Sequence, residues 1–116
     1  MARTILTTEA VEKSTYIVPV TFRDENGTGV APTAATWTLT SEYGAVINGR
    51  SDVMISPLAA TVNIVLTGAD LAMLGELDNR TRLLLVEATY NSSLGAGLNL
   101  RDEIEFSVRP LVGVSS

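Results

Sequence analysis

"TRLLLVEATY", residues 81 to 90, decides the class of fold. Leu84, Val86, Ala88 and Tyr90 fall on one face of an extended chain, and Leu83, Leu85, Glu87 and Thr89 fall on the other. Side chains alternate across a strand with a period of two, whereas a helix places its apolar groups three and four apart. The next periodic stretch, "NLRDEIEFSV" at 99 to 108, repeats the pattern. Leu100, Ile104, Phe106 and Val108 face inward; Arg101, Glu103, Glu105 and Ser107 face outward. Asp102 falls on the inward face, where a carboxylate is costly, so it is expected near the strand end within reach of water. Between the two strands, "NSSLGAGL" is small and flexible and reads as a loop tip.

The same period runs upstream. Tyr16, Val18, Val20 and Phe22 share a face, with Ile17, Pro19 and Thr21 opposite. Pro19 lacks an N–H for the ladder, which places this strand at an edge or a bulge. Ala35, Trp37 and Leu39 alternate with Thr36, Thr38 and Thr40. "AVIN" and "DVMIS" read as short strands around a turn at Gly49-Arg50. In "AATVNIVLT", Ala60, Val62, Ile64 and Leu66 alternate with Thr61, Asn63, Val65 and Thr67. One helical signal interrupts: Thr67 and Asp70 have capping-box spacing, and Gly75 stops the helix after one or two turns. Such a segment suits a crossing between two sheets. About seven short strands with turn-rich connections predict an all-β sandwich of immunoglobulin-like or jelly-roll type, with one short helical turn and extended termini. The expected core is Trp37, Val20, Phe22, Ile64, Leu84, Val86, Ile104 and Phe106.

The totals narrow the function. The 116 residues make one domain, large enough for a single core without staples. A net charge of −5 with scattered Lys and Arg argues against nucleic acid. The chain has no Cys and no His, which removes thiolate zinc sites, cysteine nucleophiles and the commonest general base. The N-terminus has no apolar signal region, and no apolar run approaches the ~20 residues that span a bilayer. Synthesis in the cytoplasm and no membrane partner are the expectations.

"FRDENGTGV", residues 22 to 30, is the most polar stretch. Asp24, Glu25 and Asn26 offer oxygen ligands, but a calcium loop of the EF-hand kind needs a Glu at its twelfth position, where Ala35 stands. Asn-Gly and Thr-Gly after an alternating strand are turn chemistry. The Asn-x-Ser/Thr triplets at Asn26, Asn79 and Asn91 follow from composition in a chain without a secretory signal. The acidic set around Glu103 and Glu105 reads as a solvated strand face paired across the sheet, not as a hydrolytic carboxylate pair. A Ser or Thr nucleophile would depend on Lys13 as its base, and Lys13 lies outside the sandwich. No catalytic residue, cofactor or metal is expected.

"YIVPVTFRDENGTGVAPTAATWTLTSEYGAVINGR", residues 16 to 50, resembles small bacteriophage virion proteins with an immunoglobulin-like sandwich. The resemblance lies in the turn Asp24-Glu25-Asn26-Gly27, in Pro32 leading to Trp37-Thr38-Leu39-Thr40, and in Tyr43-Gly44-Ala45-Val46-Ile47-Asn48. "LLLVEATYNSSLGAGLNLRDEIEFSV", residues 83 to 108, is similar to their closing hairpin. It covers roughly residues 16 to 109 in strand pattern and turns, and implies no active-site residue. Among such proteins, small single-domain members resemble head decoration, or cement, proteins, which bind the outer face of the capsid and staple neighbouring capsomers. The implied partners are the major capsid protein or another virion protein, with a homo-oligomer within the assembly and the virion surface as location. The alternative is a tail, baseplate or fibre-associated module acting in assembly or host-surface binding.

Three regions follow: an N-terminal arm, 1 to 15; a sandwich, 16 to 109; and a C-terminal tail, 110 to 116. The arm is expected to be disordered alone or laid on a partner. Outward faces carry an apolar surplus: Ile17, Val65, Leu83 and Leu85, joined by apolar groups in the arm and tail. A monomer seldom exposes large contiguous apolar patches. Either both faces of the central strands are covered within the fold, or the chain assembles with other proteins; for the second case Ile5, Leu6, Val11, Leu83, Leu85, Leu111 and Val112 are the candidate interaction residues.

Overall fold

The computed structural model describes residues 3–56, 58–72 and 80–109. The chain folds as an all-β sandwich. Its strands are β1 (Arg3–Ile5), β2 (Ala10–Val11), β3 (Thr15–Thr21), β4 (Ala34–Ser41), β5 (Val53–Met54), β6 (Thr61–Thr67), β7 (Thr81–Ser92) and β8 (Gly95–Arg109). The larger sheet runs β1-β8-β7-β4-β5, with β2 pairing farther along β8; the smaller sheet is the antiparallel pair β3-β6. Pro19 sits in β3, which has β6 as its one neighbour among the described residues, so the missing N–H falls on an edge strand as expected.

All eight residues expected in the core belong to one buried cluster that draws on both sheets. Tyr16 of β3 meets Phe106 of β8 across the sandwich, with ring centroids 5.0 Å apart. A single 3-10 turn, Gly68–Leu71, follows β6 and begins the crossing from the small sheet to the large one. It agrees with the one or two turns read from the sequence, and Gly75 lies outside the described residues. The expected strand "AVIN" reduces to one bridge between Thr40 and Val46, while "DVMIS" supplies β5.

Two expectations are corrected. The described part of the expected arm, residues 3 to 15, is not unattached. Arg3–Ile5 and Ala10–Val11 pair in parallel with Glu103–Glu105 and with Val108–Arg109. β8 is 15 residues long, and β7 pairs along one side of it, so its other side offers unpaired backbone groups. The N-terminal segment satisfies part of them, along Glu103–Glu105 and Val108–Arg109. Asp102 is not at a strand end. It stands in mid-β8 opposite Val86, half-buried, and its Oδ1 accepts the Glu103 N–H at 2.9 Å. The two-stranded sheet is too narrow to cover all of β8: Ile104, Phe106 and Val108 are buried, whereas Leu98, Leu100 and Asp102 are half-exposed. Water reaches the carboxylate from the side instead of the end.

Candidate interaction surface

The sheet register sorts the candidate residues. On the outer face of the large sheet, Thr40, Leu83, Glu105 and Ile5 form one row, and Thr38, Leu85 and Glu103 form the next. The third row ends in an ion pair, Arg101 to Glu87, at 3.2 Å. Leu83 and Leu85 are half-buried there, between threonines on β4 and the long glutamate side chains on β8, while Ile5 is exposed. A shallow groove of about 280 Å³ crosses the same face at Ala34, Thr36, Glu87, Thr89, Asn99 and Arg101.

The remaining candidates do not join this face. Leu6 is half-buried against the core, and its N–H donates to Glu105 O at 2.9 Å. Val11 is half-buried in β2 opposite Arg109. Leu111 and Val112 lie outside the described residues. The other outward pair, Ile17 and Val65, is directly cross-paired on the small sheet at 56% and 49% exposure. Among the described residues the outward apolar pairs thus fall in two strips on opposite outer faces, not in one patch.

No protein-family model, curated protein or solved structure matches the chain. Its chemistry has to be read from its own side chains.

The polar loop at 22 to 30 is closed on itself. Asp24 Oδ1 accepts the N–H groups of Asn26 at 2.9 Å and Thr28 at 3.0 Å, and the Asp24 N–H donates to Thr28 O. Gly27 has a φ of +79°, the left-handed turn conformation that glycine adopts without strain. Glu25 reaches away from the loop: Oε1 accepts the Tyr90 hydroxyl at 3.0 Å and the Ser92 hydroxyl at 3.2 Å. The loop is therefore a turn tied to the β7–β8 hairpin. Burial raises the Tyr90 phenol above its ordinary value, and the bond to Glu25 and the charges of Glu25 and Asp24 raise it further. Among the described residues no three His, Cys, Asp or Glu groups are placed to hold a metal ion.

Sequence reasoning missed a buried polar centre at the opposite end. Asp70 accepts from Arg50 Nε at 2.7 Å and Asn48 Nδ2 at 2.8 Å through Oδ1, and from the Thr67 N–H at 3.1 Å through Oδ2. The Thr67 contact is the half of the capping box that the spacing foretold. Nothing in the local pattern announces Arg50 and Asn48, which arrive from the β4–β5 connection. Arg82 was missed too, although its even position puts it on the inward face of β7. It is fully buried, and its guanidinium donates to the carbonyls of Thr81 at 3.0 Å and Ala72 at 3.2 Å.

Proposed function

We propose that this chain is a non-enzymatic assembly protein of a bacteriophage virion. In this reading it is a head decoration protein that binds the outer face of the capsid shell and links neighbouring subunits. The observation that carries the reading is the outer face of the large sheet. Rows of threonine and glutamate there enclose Leu83 and Leu85, with exposed Ile5 beside them. A regular surface of this kind suits a protein partner, with apolar anchors inside a polar rim. The strand order supports the immunoglobulin-like form of the sandwich: β3 and β6 oppose β4, β7 and β8 as strands B and E oppose C, F and G in that fold. Because residues 3 to 11 are held on β8, the linking surface in this proposal is the sheet face and not a free N-terminal arm.

The test is attachment to capsid shells assembled without this chain. Wild type binds such shells and raises their resistance to heat. Leu83→Arg and Leu85→Arg keep the melting temperature of the isolated domain within a few degrees yet bind about tenfold more weakly or worse, as loss of a central anchor does. Binding to isolated tails and not to shells selects the tail-associated alternative. A host-glycan module is disfavoured by burial of Trp37, which leaves Tyr43 as an isolated exposed ring on the β4–β5 connection.

A further inference from the structure

The free edges of the two sheets are not alike. An exposed strand edge invites pairing with another chain, and proteins blunt such edges with short strands, proline or charge. β1 and β5 are three and two residues long. β3 carries Pro19, and its edge is flanked by the β1–β2 connection, which the Tyr16 hydroxyl holds through Thr8 O at 2.6 Å. β6 has none of these devices. Its seven residues, "TVNIVLT", include no proline, glycine or charge, and among the described residues it pairs with β3 alone.

The neutrality extends beyond the strand. The 15 residues from Val53 to Thr67 contain no ionisable side chain, in a chain of net charge −5. Val65 of the strand is exposed, and beside the same edge Ile55, Ser56 and Ala59 form a groove of about 190 Å³ with Thr61, Val62 and Asn63.

From this edge we infer that β6 is the interface of a twofold dimer, in which β6 of one copy adds antiparallel to β6 of a second copy and fuses two small sheets into one of four strands. A twofold axis normal to the sheet places a strand antiparallel to its own image, the self-complementary arrangement of a closed dimer. In that arrangement a residue on the axis meets its own copy and a residue i beside it meets a residue j of the partner while j meets i, so a charge close to the axis would lie near a like charge. Two copies that each carry −5 approach with least repulsion where neither presents a charge. A peptide of opposite charge would be recognised by charged edge residues, and this edge has none.

The inference concerns the opposite sheet from the one in the shell-binding proposal and is tested on the isolated chain, so either can fail without the other. Sedimentation of wild type is expected to show a monomer–dimer equilibrium, with amides of residues 61 to 67 better protected from hydrogen exchange at high concentration than at low. Val65→Lys and Val65→Glu alter an exposed position of β6. Each should keep the wild-type melting temperature within a few degrees and weaken the dimer about tenfold or more, by like-charge repulsion across the strand pair. Mixing the two variants should restore a heterodimer, which a merely misfolded variant cannot do. A wild type that stays monomeric at high micromolar concentration, or single variants that dimerise as tightly as wild type, would overturn it.

Discussion

Arg50 Nε lies 2.7 Å from Asp70 Oδ1, and the two partners sit in different surroundings: the Asp70 side chain is 1% exposed and that of Arg50 is 40% exposed. The pair fastens the β4–β5 connection of the large sheet to the 3-10 turn that leaves the small sheet. The same guanidinium stands 6.0 Å from the centre of the Trp37 ring, so the contact also closes one side of the core.

The asymmetry of exposure predicts an asymmetry of mutational cost. Arg50→Ala leaves a buried carboxylate without its cation and should cost about 3 kcal/mol, the lower part of the range for a broken buried pair. Asp70→Asn leaves a guanidinium that can turn into water and keeps a hydrogen-bonding side chain, so about 1–2 kcal/mol is expected. The double variant should recover part of the Arg50→Ala loss. Denaturant melts of the three proteins check the order, and equal losses for the two single variants would show that burial of Asp70 does not govern the pair.

The same centre sets a pH dependence. Burial pushes the Asp70 carboxyl upward, but hydrogen bonds from Arg50, Asn48 and the Thr67 N–H, with the charge of Arg50, outweigh it and hold the group below its ordinary range. A carboxylate with a depressed folded value adds stability above its unfolded value of about 3.9 and loses it as pH falls through the folded value. The stability difference between wild type and Asp70→Asn should therefore be flat from about pH 5 to 8 and shrink below about pH 4. Melts of both proteins across that range would show a constant difference if the group were not depressed.

At the other end, Tyr90→Phe removes the donor to Glu25 and should lower the melting temperature slightly. The Tyr90 phenol is raised in the fold, so this contribution is complete below its unfolded value of about 10 and fades as pH rises through the folded one. Because the Asp24 and Glu25 oxygens already accept hydrogen bonds within the chain, thermal melts with calcium and with chelator should coincide. A calcium-dependent rise of several degrees would show that the loop opens to take the ion.

Trp37→Ala should cost about 3–5 kcal/mol, the range for truncating a large buried aromatic. Trp37 is buried in the cluster that joins both sheets and sits opposite Val86 on β7. A loss below about 1 kcal/mol in denaturant melts would place the ring at the surface.

The strand alternation was legible because each long strand has one dry face. Leu84, Val86, Ile104 and Phe106 are separated from Leu83, Leu85, Glu103 and Glu105 by parity alone, and burial follows that parity. The N-terminal segment was not legible. β1 and β2 are too short to show a period, and what orders them is the vacant side of β8, a partner roughly a hundred residues away. Asp70 shows the same limit: its contact with Thr67 is local and follows from spacing, while those with Arg50 and Asn48 depend on how the loops meet. The candidate surface was legible by half. Parity put Ile17, Val65, Leu83 and Leu85 outside, but only the register separates them into strips on opposite sheets.

Parallel pairing of β1 with β8 also imposes an order in time. Arg3–Ile5 leave the ribosome roughly a hundred residues before Glu103–Glu105, so β1 has no edge to pair with until that whole stretch has been made. The hairpin of β7 and β8 can close from neighbouring residues, whereas the β1 edge demands the longest loop closure in the fold. β1 is thus made long before the edge that holds it, and a nascent chain stalled before residue 103 leaves Arg3–Ile5 without that edge, open to pairing with the wrong strand.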